Sequence, residues 1–274
     1  THEYIETGRE DSKFGLGIRD GMAMEAVRLA AFAKNVELIG LHCHIGSQIF
    51  SYKPFQRAAE VMVGFAAEIK RACKIEIKEI NFGGGYGIHY VDADKPKSPR
   101  QYVEMLVSAL KLECRKLKLQ LPRLVIEPGR SIVGEAGTTL YTVGAVKDLK
   151  GIRKYVSVDG GMADNPRTAL YQAKYTAVIA NKAGKKADEL VSVAGKCCES
   201  GDMLIWEAHI QKPQRGDILA IFSTGAYNYS MASNYNRLRV PAVALVRGGK
   251  AALMVRRQSF EDLVRNDLMP GWLE

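Results

Sequence analysis

His42 and His44 stand two residues apart in Leu38-Ile39-Gly40-Leu41-His42-Cys43-His44-Ile45, a short apolar run that reads as a buried strand. Alternation along a strand turns both imidazoles to one side. His44 closes the run and is followed by Gly46-Ser47-Gln48, so an imidazole able to stack on a planar ring has a hydroxyl donor beside it. A structural histidine is the alternative there, and His42 reads as core or as support behind the site. Asn81-Phe82-Gly83-Gly84-Gly85-Tyr86-Gly87 follows a second strand-like run, Ile75 to Phe82. Glycines at that place let backbone amides close on a phosphate, although a tight turn has the same signature. The segment departs from GxGxxG, which counts against a dinucleotide site. Glu127-Pro128-Gly129-Arg130 ends a third run, Leu124-Val125-Ile126. A carboxylate there can hydrogen-bond a pyridinium nitrogen and hold its proton, which keeps such a ring an electron sink; a surface ion pair is the alternative.

Each of these groups ends a strand, and between the strands lie helical patterns. Ala58, Val61, Met62, Phe65 and Ile69 recur at helical spacing in Phe55 to Cys73, as do Val103, Leu106, Val107, Leu110 and Leu117 in Tyr102 to Leu117. Repeated strand–helix units imply a parallel sheet, either a barrel or a doubly wound one. Beyond Thr138 the pattern changes to short β-rich runs: Leu140 to Val146, Lys154 to Val158, Tyr175 to Ile179, Leu190 to Val193 and Asp217 to Phe222. Val240 to Val246 and Ala251 to Val255 flank Arg247-Gly248-Gly249-Lys250, a hairpin signal. The expected division is 1–136 for the strand–helix part and 137–274 for an antiparallel β domain.

Composition narrows the classes. Hydrophobic residues make up 47% of the 274 and charged ones 25%, as in ordinary globular proteins. No apolar run approaches the roughly 20 residues of a membrane span, and the polar start Thr1-His2-Glu3-Tyr4-Ile5-Glu6 is unlike a signal peptide. The formal charge of +9 is dispersed and matches no nucleic-acid motif, so an anionic small ligand is the better use of it. Five cysteines without a CxxC pair suggest a reducing compartment and argue against zinc.

His44-Ile45-Gly46-Ser47, Gly83–Gly87, Glu127–Arg130, Asp159-Gly160-Gly161-Met162, Cys198-Glu199-Ser200-Gly201-Asp202 and Gly225-Ala226-Tyr227, in that order, resemble the motifs of the fold-type III pyridoxal-phosphate decarboxylases. Ornithine, arginine and diaminopimelate decarboxylases belong to that family. The resemblance implies the C-terminal part of an alanine-racemase-like (β/α)8 barrel followed by an antiparallel β-sandwich or barrel domain, and a cytoplasmic homodimer with shared active sites. It implies pyridoxal 5′-phosphate as cofactor, with no metal, no nucleic acid and no membrane. His44 would stack on the ring. Ser47, Gly83, Gly84, Gly85, Gly129 and Arg130 would hold the phosphate, and Glu127 the ring nitrogen. Tyr227 would reach cofactor and substrate. Arg130, Arg167 and Tyr171 would take the substrate's distal carboxylate, and Glu199 its distal ammonium. Cys198 would supply a proton, with Cys198 and Glu199 donated across the dimer interface. Ornithine-type members carry Cys-Asp where this sequence has Cys198-Glu199. Glu199 with Arg167 suits meso-diaminopimelate as substrate and L-lysine as product. Cys197 receives no role, and an inert buried thiol is the alternative for Cys198.

One feature of the family is not found. The segment resembling Ala-Val-Lys-Ala-Asn, which carries the Schiff-base lysine, is absent, and the first half holds about three strand–helix units where a closed barrel needs roughly 250 residues. The expectation is that the front of the barrel is missing and that the chain by itself is inactive. Ala180-Asn181-Lys182-Ala183-Gly184 has a similar look but lies among the β-rich runs, and reads as a solvated turn. Two rival functions remain: another basic-amino-acid decarboxylase, or a non-catalytic relative that binds a partner.

Overall fold

The computed structural model describes residues 13–273. The polar start at residues 1–6 lies outside them. The chain divides into two compact units, Thr1–Val133 and Gly134–Glu274.

In the first unit a helix α1 (Met22–Phe32) precedes β1 (Gly40–His42), α2 (Lys53–Cys73), β2 (Glu79–Asn81), α3 (Pro99–Lys116), β3 (Arg123–Val125) and the short α4 (Arg130–Val133). The three strands pair in parallel in the order β1-β2-β3. Gly40, Glu79 and Arg123 stand level, and so do His42, Asn81 and Val125. Parallel strands need crossovers, and α2 and α3 supply them. α2 begins with Pro54 in its first turn and buries Phe55, Ala59, Met62, Val63, Ala66 and Ile69, a stripe at helical spacing. It ends where Lys74 turns left-handed. Ser98 caps α3 by accepting from the Gln101 N–H, and the Gln101 side chain bonds back to the Ser98 N–H. Phe55, Tyr86 and Tyr102 form the aromatic centre of the core, with centroids 4.9–5.5 Å apart.

Each strand is shorter than its apolar run. His44 therefore lies in the loop after β1, not on the strand with His42. His42 is exposed, which overturns its reading as core. Val61 and Leu117, expected on buried helix faces, are also exposed.

In the second unit β4 (Thr138–Leu149), β5 (Arg153–Val158), β6 (Ala177–Ile179), β7 (Glu189–Ala194), β8 (Met203–Ile210) and β9 (Ile218–Phe222) form one sheet in the order β6-β9-β4-β5-β7-β8. α5 (Arg167–Tyr171) lies between β5 and β6. All pairs are antiparallel except β5 with β7. β10 (Val243–Arg247) and β11 (Lys250–Val255) make the expected hairpin, turning on Gly248 and Gly249 at φ of 56° and 74°, which only a type I′ turn demands of both central residues. A short helix, α6 (Phe260–Val264), follows. Among the described residues no helix is long and apolar enough to cross a membrane.

Lys182 is not solvated. Its side chain is 14% exposed against 9% for that of Asp217, and Nζ donates to Asp217 Oδ2 at 2.5 Å and to the Lys212 carbonyl and Gln214 Oε1. Burial works against the Asp217 charge, but Lys182, Asn181 and the Gln214 N–H outweigh it and hold the carboxyl below its usual range. A depressed carboxyl contributes stability above its unfolded pKa and loses it as the pH falls through the folded value. The melting temperature is therefore expected to fall below about pH 4, and Asp217→Asn should flatten that part of the curve while lowering the plateau at neutral pH.

Candidate functional site

The level strand ends put three loops side by side: 43–50, 82–88 and 126–130. Backbone bonds stitch them together. Cys43 N–H donates to the Asn81 carbonyl, Phe82 N–H to that of Val125, Glu127 N–H to that of Gly83 at 2.8 Å, and Ile49 N–H to that of Gly85 at 2.9 Å.

The glycines are there because the loops touch. A Cβ on Gly83 would lie 2.7 Å from His44 Nδ1, and one on Gly84 2.4 Å from the Glu127 carbonyl oxygen. One on Gly85, at φ +92°, would lie 2.2 Å from the Gly46 carbonyl oxygen. His44, the triple glycine and Glu127 are thus immediate neighbours. Burial holds the His44 pKa below its ordinary value, reinforced by His42 and opposed by Glu127. Its imidazole is accordingly favoured neutral, a flat face suited to stacking. Burial also pushes the Cys43 thiol between the histidines up to about 12.

Glu127 accepts from Asn81 Nδ2 at 2.7 Å through Oε1, and its Oε2 lies 3.7 Å from His42 Nε2. Arg130, the first residue of α4, is buried. Its Nη2 donates to Ser47 Oγ at 3.0 Å and its Nη1 to the Tyr90 hydroxyl, while the guanidinium stands 5.7 Å from the Tyr90 ring centre. Asp94 closes the loop behind, accepting from the Tyr90 and Val91 N–H groups. Gln48, at φ 59°, bonds through both ends of its amide to the Ile88 backbone, donating to the carbonyl at 2.7 Å. Gly129 is exposed at the turn into α4. The structure therefore brings together His44, Ser47, Gly83, Gly84, Gly85, Glu127 and Arg130. Sequence reasoning missed Asn81, Tyr90 and Gln48. An asparagine two residues before a glycine turn is an Asx-turn signal that could have flagged Asn81.

The remaining candidates belong to the second unit. The buried Asp202 ties two motifs together by accepting from Met162 N–H at 2.6 Å and Cys197 N–H at 2.7 Å. A Cβ on Gly161 or Gly195 would strike its carboxylate. Burial and then Asp202 push the Cys197 thiol up to about 11, so it remains protonated. The exposed Cys198 donates its N–H to Asn236 Oδ1 at 3.2 Å, and Glu199 accepts from the Tyr235 hydroxyl. Arg167 is buried, donating to the Tyr175 hydroxyl at 2.6 Å, and half-buried Tyr171 ends the same short helix, α5. Tyr227 is 47% exposed at φ 62°, a left-handed conformation costly for a bulky residue.

Residues 1–134 match the family described as pyridoxal-dependent decarboxylase, pyridoxal binding domain. The diaminopimelate decarboxylase of Bacillus subtilis (strain 168) is 50% identical over 268 residues, 98% of this chain and 61% of that protein. Among solved structures, diaminopimelate decarboxylase from M. jannaschii in complex with L-lysine superposes with a TM-score of 0.90 at 36% identity, covering 100% of this chain and 62% of that one. The enzyme from Helicobacter pylori, also with L-lysine, gives 0.84 at 31% identity, covering 97% and 63%. The chain thus spans about three-fifths of the length of the relatives it matches. Its fold is part of their barrel followed by their β domain.

Proposed function

We propose, from the match of residues 1–134 to the family described as pyridoxal-dependent decarboxylase, pyridoxal binding domain, that the protein carrying this chain decarboxylates meso-diaminopimelate to L-lysine. One observation carries the reading: a stacking imidazole, a glycine cradle, a carboxylate and a buried arginine converge at the ends of three parallel strands.

Pyridoxal 5′-phosphate, the cofactor of the family, suits these residues. A side chain at Gly84 or Gly85 would strike the carbonyl oxygen of Glu127 or Gly46 and push apart the loops whose backbone amides would hold the phosphate. Arg130 and Ser47 add a fixed cation and a hydroxyl. Bound there, the cofactor supplies an electron sink for the pair left when a carboxyl group departs. His44 would stack on its ring, and Glu127 would keep the proton on its nitrogen. Cys198, donated across the dimer interface, would supply the proton that replaces the departed carboxyl group. Glu199 would recognise the distal ammonium, Arg130, Arg167 and Tyr171 the distal carboxylate, and Tyr227 would reach cofactor and substrate. Residues 1–136 are the barrel portion and 137–274 the β domain, a division supported by the compact units on either side of Val133. The protein would work as a homodimer, and an odd number of cysteines without a CxxC pair suits the reducing cytoplasm.

Purified with pyridoxal 5′-phosphate, the polypeptide carrying this chain is expected to release carbon dioxide from meso-diaminopimelate and leave L-lysine, with at most a trace from ornithine. The reverse preference rejects the substrate, and no release from either supports a binding protein instead.

A further inference from the structure

Asn81 touches both halves of the proposed cofactor site. It is the last residue of β2, and its two amide ends face different loops. Oδ1 accepts from the Gly83 N–H at 2.8 Å, and Nδ2 donates to Glu127 Oε1 at 2.7 Å. The orientation follows from the partners: a backbone N–H can only donate, so the amide oxygen must face Gly83, and the NH2 is left for the carboxylate. Glu127 is placed 46 residues away and its side chain is about half exposed, so its carboxylate needs a holder. The Asn81 backbone is fixed as well, since its carbonyl accepts from the Cys43 N–H.

We infer that Asn81 is a positioning residue, holding Glu127 through Oε1 so that Oε2 is presented to the cofactor's ring nitrogen, while its other end sets the glycine loop. This rests on the functional reading above. Asn81 would act through Glu127 and the Gly83 N–H, the two groups that its amide hydrogen-bonds. It couples the loop that takes the phosphate to the group that takes the ring nitrogen. Among the described residues, the titratable groups beside Glu127 are His42, at 3.7 Å, and His44, both from β1 and its following loop. On Glu127's own loop, Arg130 faces Ser47 and Tyr90 instead.

Asn81→Asp separates this role from simple capping of the turn. An aspartate still accepts from the Gly83 N–H, so a residue that only caps the loop tolerates the change. Toward Glu127 it loses the donor and adds a like charge. Protonated aspartate regains an O–H donor, so the defect should grow with pH. The measurement is the dissociation constant of pyridoxal 5′-phosphate, by equilibrium dialysis between pH 5 and 9, on the polypeptide carrying this chain, with no substrate present. N81D is expected to bind about tenfold more weakly than the wild type at pH 8, with the gap narrowing toward pH 5 as the two carboxylates come to share a proton. His42 and His44 are common to both proteins, so a step seen only in the variant belongs to position 81. In N81D/E127Q the new glutamine amide donates to the new aspartate, and the step is expected to vanish. Should N81D not fold, N81S, too short to reach position 127, is expected to weaken binding beside Glu127 and to have no effect in the E127Q background. An unchanged constant, a loss equal at every pH, or a step that persists in the double variant overturns the inference. A wild-type protein that takes up no cofactor rejects the functional reading, and this inference with it.

Discussion

Gly85→Ala is expected to remove cofactor binding and to destabilise the first unit by about 2–5 kcal/mol, the sum of a left-handed backbone penalty and a forced overlap. Gly85 sits at φ +92°, and its added carbon would lie 2.2 Å from the Gly46 carbonyl oxygen. That oxygen belongs to backbone, which cannot swing aside as a side-chain tip can. The two loops are also tied by the Ile49 N–H donating to the Gly85 carbonyl at 2.9 Å. Opening the gap breaks that bond and moves Ser47, one residue from Gly46, away from Arg130. Gly64→Ala is the matched control. Gly64 lies within α2 with nothing within 4 Å of a new carbon, so alanine there should gain about 0.5–1 kcal/mol through helix propensity. Urea unfolding at constant m reads both changes. A G85A protein as stable as the wild type, with unaltered cofactor affinity, would mean that the close approach of the two loops has no part in the site.

The features legible in the sequence are those set by local rules. The stripe from Phe55 to Ile69 follows helical spacing, and Gly248-Gly249 suits a turn in which both central residues need positive φ. α1 escaped because Val27 is its buried position, leaving a weak stripe. β8 escaped because Glu207 and His209 break its apolar run, although Ala208 and Ile210 still point inward. The polar groups of the site could be named from their motifs, but their partners could not. Ser47 and Arg130 meet across 83 residues, and Asn81 and Glu127 across 46. Those pairings depend on His42, Asn81 and Val125 lying level, a register that no single segment encodes. Lys182 failed for the same reason: its polar neighbours suggest solvent, whereas Asp217, 35 residues on, draws it into a partly buried pair.

Arg130→Lys is expected to weaken pyridoxal 5′-phosphate by about tenfold to a hundredfold while leaving pyridoxal, which lacks the phosphate, nearly unchanged. The charge survives the substitution, so the loss comes from geometry. The guanidinium donates from one nitrogen to Ser47 and from another to Tyr90, and lies over the Tyr90 ring. An ammonium on a flexible stem cannot keep both donors and the planar contact. Hydrogen bonds to charged groups contribute about 1.5–3 kcal/mol each, and 1.4 kcal/mol is tenfold in a dissociation constant. Losing one such bond, with the disorder it allows in Ser47, accounts for the expected range. The ratio of the two constants carries the decision. If pyridoxal weakens as much as its phosphate ester, Arg130 serves the loop and not the anion. If the phosphate ester weakens alone, the buried cation is the anchor that the glycine cradle closes around. Tyr90→Phe should then reproduce a smaller part of the same loss, because it removes one acceptor from Arg130 and keeps the ring beneath it.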